Sequence, residues 1–199
     1  MRIVIIMGLL VLIGFVIVAV GYSAEQAALR AEAVEARAAS QTFAKTLKSQ
    51  LVAAIKADGP VGAISVCQQI APAMAAQYST DGLHIGRTAL KLRNPANAPD
   101  AWERSVMEGF AAAMDKGVDP AMLERYAFFA NKNGGKTFRY MKAIPVGQPC
   151  LACHGSNLAP AVQAALREHY PDDQATGFKL GDLRGAFTVQ KEMEPEPSR

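Results

Sequence analysis

The sequence predicts an α+β domain in which helices pack on an antiparallel sheet. Residues 23–57 contain no Pro or Gly and are rich in Ala, Glu, Lys, Arg and Gln, which are strong helix formers. Residues 125–131 and 137–144 are two strand-like runs on either side of a Gly-Gly turn, which indicates a hairpin. Helices and strands then alternate irregularly without an internal repeat, a pattern typical of the α+β class.

The remaining elements follow from periodicity and from helix-breaking residues. The first helix carries an apolar stripe in its second half and ends at Asp58-Gly59-Pro60, and Pro60 can open a second helix reaching Gln77. Further helices are expected over residues 100–116, which carry Trp102, Val106 and Phe110 on one face, and over residues 160–170. Additional strands are expected over residues 83–90, 178–180 and 183–189.

The first 22 residues predict export. Residues 3–20 contain no charged side chain, and a run of this length is typical of a membrane-spanning helix. A cleaved secretory signal is the alternative, because Ala19-Val20-Gly21 offers small residues, but the run exceeds the ~7–15 residues of an ordinary signal core. We therefore expect a single-pass anchor with the rest of the chain on the periplasmic, extracytoplasmic side, or an exported soluble form after cleavage.

The predicted organisation has four parts. Residues 1–22 form the anchor or signal, 23–40 a helical stalk, 41–190 the folded domain and 191–199 a flexible tail. The stalk is either a solvated helix or the contact of a homodimer. The formal charge of +3 is spread along the 199 residues without a Lys/Arg block, so no nucleic-acid partner is expected.

The most specific motif is Cys150-Leu151-Ala152-Cys153-His154. This C-x-x-C-H run is the attachment sequence for a c-type haem, in which both thiols bond to the haem and the histidine can bind the iron. A thioredoxin-like dithiol would need a βαβ context, and hairpins surround the motif instead. A zinc site would need a second C-x-x-C or paired histidines, which the sequence lacks.

A second iron ligand is less well defined by the residues alone. Cys67 is the one cysteine outside the motif, and it shares an apolar helix face with Met74. Its spacing is compatible with a small core residue or with a thiolate ligand, and Met74 is better explained as core. The other two histidines, His84 and His169, are expected to face solvent.

Haem also carries two propionates, which need cations or hydrogen-bond donors. Candidates cluster around the strand at 83–90 and the strand that enters the motif: Arg87, Lys91, Arg93, Arg139, Tyr140 and Lys142.

Four segments resemble a known family, the single-haem c-type domain with a PAS-like fold, long described as a domain of unknown function. They are residues 63–72 around Cys67, residues 87–103 with the run Arg-Thr-Ala-Leu-Lys-Leu-Arg-Asn-Pro, residues 138–155 with the haem motif, and residues 176–186 with Gly-Asp-Leu-Arg-Gly-Ala. The segment at 87–103 departs from the family at Ala89, where a small hydroxyl residue is expected.

The resemblance implies a PAS-like sheet flanked by helices and one haem attached covalently to Cys150 and Cys153. It implies His154 as the proximal iron ligand and Cys67 as the distal one. A membrane-tethered one-electron carrier is the expected function, because the sequence shows no signalling output module. A haem-based redox or gas sensor that signals to a separate partner is the alternative. A peroxidase is less favoured, because it needs an open iron position.

Overall fold

The architecture is that of a computed structural model, which describes residues 2–80, 82–132 and 134–195, with side chains from Ser23 onward. The helices are α1 (Arg2–Gly62), α2 (Ala71–Tyr78), α3 (Ala101–Asp115), α4 (Leu151–His154) and α5 (Pro160–His169). The strands are β1 (Leu83–Thr88), β2 (Glu124–Ala130), β3 (Lys136–Pro145) and β4 (Leu183–Met193).

The four strands form one antiparallel sheet in the order β1-β4-β3-β2. The predicted hairpin is β2–β3, in which Tyr126 pairs with Tyr140. Val189 of β4 pairs with Tyr140 on one side and with Ile85 of β1 on the other, so the last strand is central in the sheet. The α+β class with an antiparallel sheet is therefore confirmed.

Helices cover both faces of this sheet. Because side chains alternate along a strand, Phe138 and Tyr140 point to one face of β3 and Met141 to the other. The first face packs against α1 and α2 in the main core, and the second packs against α3 through Met107. An Asp100 capping box fixes the start of α3.

The segment predicted as a stalk packs on the sheet instead of standing free. Ala33 and Ala36 of α1 are each 1% exposed and lie in the main core with Phe43. Lys191 of β4 pairs with Glu32 at 2.8 Å. Alanines spaced three apart let the helix approach the strands closely. Because this part of α1 has few large apolar residues, its sequence did not predict that it packs on the sheet.

The C-terminal region differs from the expectation in two places. Residues 178–180 form no strand: Phe178 makes only an isolated bridge to Gly155, and Lys179 N–H donates to Asp182 Oδ2 at 2.7 Å in a turn. β4 runs on to Met193, inside the predicted tail, because Met193 still pairs with Lys136 of β3. Residues 196–199 lie outside the described part of the chain.

Within residues 23–80, 82–132 and 134–195, no helix is long and apolar enough to cross a membrane. The predicted anchor at 3–20 falls outside the residues whose side chains are described, and it stays a prediction.

Candidate functional site

The residues of the predicted haem site converge on one cleft. The cavity volume of this cleft is about 170 Å³, and its mouth is open to solvent. Cys67, Cys150, Cys153 and His154 all line it. The rest of the wall comes from α1 and the residues after it, the ends of β1 and β3, the loop after β1, the turn before α4, the residue after α5 and the start of β4. These residues are Leu51, Ile55, Ala63, Ile64, Arg87, Thr88, Ala89, Arg93, Asn94, Asn97, Ile144, Pro149, Tyr170, Arg184 and Gly185.

The C-x-x-C-H motif forms a single helical turn, α4, entered through Pro149. Residues three apart lie on the same side of a helix, so Cys150 and Cys153 present their thiols together. Both thiols are free and half-buried. Burial raises the pKa of the Cys153 thiol, which lies 3.9 Å from the Pro60 carbonyl oxygen.

His154 is held as a neutral imidazole with one nitrogen fixed. Its Nδ1 lies 2.6 Å from the Ala175 carbonyl oxygen, which can only accept, so Nδ1 carries the proton and donates it. Nε2 is thereby left with the lone pair that a metal requires. Burial, together with the positive charges of the nearby Arg184 and Arg93, lowers the pKa of His154 to about 2.

Arg93 ties the motif to the loop that holds the histidine. Its guanidinium donates to Asp173 Oδ2 at 2.9 Å, to the Cys153 carbonyl oxygen at 2.5 Å and to the Ala175 carbonyl oxygen at 3.3 Å. The side chains of the ion pair are 7% and 9% exposed, so a buried charge pair joins the two segments.

Cys67 reaches the cleft from an irregular helical segment. Gly59 has a φ of 70°, which breaks the helical path before Pro60 as expected from the sequence, and the π-helical turn Val66–Ile70 follows. Such turns are frequent at functional sites. Met74 packs in the main core against α1, while His84 and His169 are exposed, as predicted for all three.

Comparison with known proteins assigns the family. Residues 19–191 match the family model described as Tll0287-like. The chain belongs to the Tll0287-like family. This confirms the resemblance found in the sequence.

A solved structure shares the fold of this Tll0287-like chain. The crystal structure of the cyanobacterial heme-protein Tll0287 superposes with a TM-score of 0.60 at 24% identity, covering 83% of this chain and 98% of that one. No curated protein matches the sequence significantly.

The structure separates the predicted propionate contacts into two groups. Arg87 and Arg93 line the cleft, whereas Lys91, Arg139 and Tyr140 are not among the described residues of its wall. Lys91 lies 4.7 Å from the centre of the Phe178 ring and donates to the Thr176 carbonyl oxygen.

Strand alternation explains the positions of the other two. Arg139 points toward α3, where it pairs with Asp100 at 2.7 Å and lies 4.4 Å from the Trp102 ring centre. Tyr140 is fully buried toward α1, and its hydroxyl lies 3.0 Å from Glu124 Oε2. Neither side chain is among the described residues that line the cleft, although both precede the haem motif closely in sequence.

Sequence reasoning missed Arg184 as a site residue of this Tll0287-like chain. It stands on β4 with its Nε 3.4 Å from His154 Nε2 and its Nη1 3.3 Å from the Lys91 carbonyl oxygen. Burial, together with repulsion from Arg93 and Arg87, lowers the pKa of Arg184 to about 10. Its sequence neighbours suggested a closing strand, and only the central position of β4 brings it to the motif.

Arg87 and Arg184 are the cleft cations that have no carboxylate partner among the described residues. Burial also lowers the pKa of Arg87. Placing two guanidinium groups together in a half-buried wall is unfavourable unless an anion joins them. The cleft therefore suits a ligand that is largely apolar and carries negative groups.

Proposed function

We propose that this chain is a c-type haem protein that transfers single electrons while tethered to the outer side of a membrane. The observation that carries the proposal is the convergence of both motif thiols and of His154, whose Nε2 keeps its lone pair, on one cleft. The solved structure with the same fold is described as a heme-protein.

The residues fit this group in three respects. Each of Cys150 and Cys153 can add its S–H bond across a vinyl C=C bond, forming one C–S and one C–H bond without an oxidant. His154 presents a neutral imidazole whose orientation is fixed by the Ala175 carbonyl, the usual arrangement of a metal-binding histidine. The guanidinium groups of Arg87 and Arg184, which have no carboxylate partner among the described residues, suit the two propionates.

The haem supplies a one-electron couple between ferric and ferrous iron. The chain would hold the iron through His154 and Cys67, and its wall would exclude part of the solvent. An anionic sulfur ligand stabilises ferric iron and lowers the reduction potential. Two protein ligands also leave no position for peroxide or a gas, which disfavours a peroxidase and a gas sensor.

Redox signalling is the second candidate, and one observation favours it. Leu51 and Ile55 of α1 line the cleft, and α1 also reaches Cys153 through the Pro60 carbonyl. This helix leads back to the predicted anchor at residues 3–20. A change at the haem would thus act directly on the element nearest the membrane, where a signalling partner or a second copy of the chain could detect it.

A redox titration followed by optical spectroscopy tests the proposal. We expect a reversible one-electron transition, and we expect the reduced protein to bind neither carbon monoxide nor nitric oxide. Formation of a stable gas complex by the unmodified protein would contradict electron transfer and favour a gas sensor.

The distal ligand is tested by Cys67→Ala, which should change the ferric spectrum and raise the potential because the anionic ligand is lost. Met74→Leu is the matched control, since it removes a second sulfur from the same helix region with little change in volume. An unchanged ferric spectrum in Cys67→Ala would rule out thiolate ligation.

A further inference from the structure

Hydrogen bonds hold the backbone of Ala175 at both its N–H and its carbonyl group. Its carbonyl oxygen accepts from His154 Nδ1 at 2.6 Å and from Arg93 Nη2 at 3.3 Å. Its N–H donates to Asp173 Oδ1 at 2.8 Å. The same Asp173 carboxylate accepts from Arg93 through Oδ2, so one ion pair immobilises the group that orients the histidine.

The ion pair also holds the backbone next to His154 in α4. Arg93 donates to the Cys153 carbonyl oxygen at 2.5 Å, one residue before His154. Arg93 is 8% exposed. Its planar guanidinium serves three acceptors in a fixed fork, a geometry that a lysine ammonium does not reproduce. Arg93 thus sets the distance between the α4 turn and the loop at residues 173–175.

We propose that Arg93 and Asp173 are positioning residues that set the reduction potential of the haem: Asp173 holds the Ala175 backbone beside His154, and Arg93 shares the Ala175 carbonyl oxygen with His154. The proposal rests on the haem function above. It assigns Arg93 a role different from the propionate contact expected from the sequence, because its hydrogen bonds go to Asp173 and to two backbone carbonyls.

The direction of the effect follows from competition for one carbonyl oxygen. Two donors share the Ala175 oxygen, so the hydrogen bond from each donor is weaker than it would be without the other. Without Arg93, this oxygen would accept from His154 alone, and a stronger Nδ1–H···O bond makes the imidazole a more basic ligand. A more basic ligand stabilises ferric iron, so the potential falls. Loss of the positive charge acts in the same direction.

Charge and positioning can be separated with a double variant. Arg93→Gln should lower the midpoint potential, with about a tenfold change in the one-electron equilibrium constant, or ~59 mV. Asp173→Asn removes a negative charge and by charge alone should raise it. In the double variant the two charge effects cancel, so a potential still below that of the unmodified protein is the expected result. A double variant at the original potential would overturn the proposal.

Arg93→Lys provides a further test, and it keeps the experiment decisive if Arg93→Gln does not fold. Lysine retains the charge but does not reproduce the planar fork, so we expect a smaller negative shift together with shifted g values in the electron paramagnetic resonance spectrum of the ferric protein. An unchanged potential and unchanged g values in Arg93→Lys would contradict the positioning role.

Arg139→Gln is the matched control. Arg139 is also a buried, ion-paired arginine, but it faces α3 and lies outside the cleft wall, and its loss should leave the potential unchanged. Failure of the unmodified protein to carry covalent haem would refute the proposed function itself. Normal haem loading with Arg93 variants at the original potential would refute the positioning role alone.

Discussion

Replacing Gly185 by alanine tests whether β4 and the end of β1 are packed as closely as the cleft requires. A Cβ at Gly185 would lie 2.3 Å from the Thr88 carbonyl oxygen and 3.1 Å from Ala89 Cβ. Real Cβ contacts essentially never fall below 3.0 Å, so the backbone at Thr88 must move. Thr88 and Ala89 both line the cleft, which makes this movement a change in the site.

Overpacking of this kind costs about 1–3 kcal/mol. For a chain of this size, 1 kcal/mol corresponds to roughly 2–4 °C in Tm, so Gly185→Ala should lower Tm by about 2–12 °C. The assay is thermal unfolding followed by circular dichroism, with covalent haem content measured on the same samples. Haem content should fall because the wall has moved.

Gly109→Ala is the matched control with the opposite expected sign. Gly109 is exposed on α3, and a Cβ there would meet nothing within 4 Å. Alanine in a helix interior is favoured over glycine by about 0.5–1 kcal/mol, so Tm should rise. A Gly185→Ala protein as stable as the unmodified one, with full haem content, would refute the close approach of the two strands.

Three further predictions test the fold around the site. Phe43→Ala removes a ring that is 0% exposed and should cost about 3–5 kcal/mol in chemical denaturation, whereas Leu180→Ala, at a side chain 62% exposed, should cost little. Arg37 lowers the pKa of Glu124, so this ion pair stabilises the fold at pH values above the ordinary carboxyl pKa, and its contribution is lost as the pH falls through the lowered pKa. The difference in unfolding free energy between the unmodified protein and Glu124→Gln should therefore shrink in acid. A difference that stays constant with pH would contradict the pairing. Asp100→Ala removes the α3 cap and should lower the unfolding free energy by about 1 kcal/mol, and an unchanged denaturation midpoint would count against the capping box.

The parts of the fold that depend on local chemistry could be predicted from the sequence. The hairpin at β2–β3, the start of α3 at Asp100 and the break at Gly59 each follow from turn, cap or backbone preferences of a few adjacent residues. The haem motif is local too, and its five residues identify the chemistry without the fold.

The parts that depend on tertiary packing could not be predicted in this way. Ala33 and Ala36 are as compatible with a solvated helix as with a buried one, and only the sheet shows which is present. The partners of Arg93 and Arg139 lie on other elements, so the sequence alone did not show that Arg93 lines the cleft and that Arg139 faces α3. Arg184 was missed because β4 reaches the motif through strand pairing across the sheet.

The most direct test of the account is the haem content of the purified protein after denaturation, by pyridine haemochrome spectrum and intact mass. The protein is produced with a c-type haem maturation system, next to a Cys150→Ala/Cys153→Ala variant. We predict one haem retained covalently, with a c-type spectrum, and none retained by the double variant. Haem that is extracted from the unmodified protein by acid and acetone, or a spectrum without the c-type signature, would contradict the proposed function.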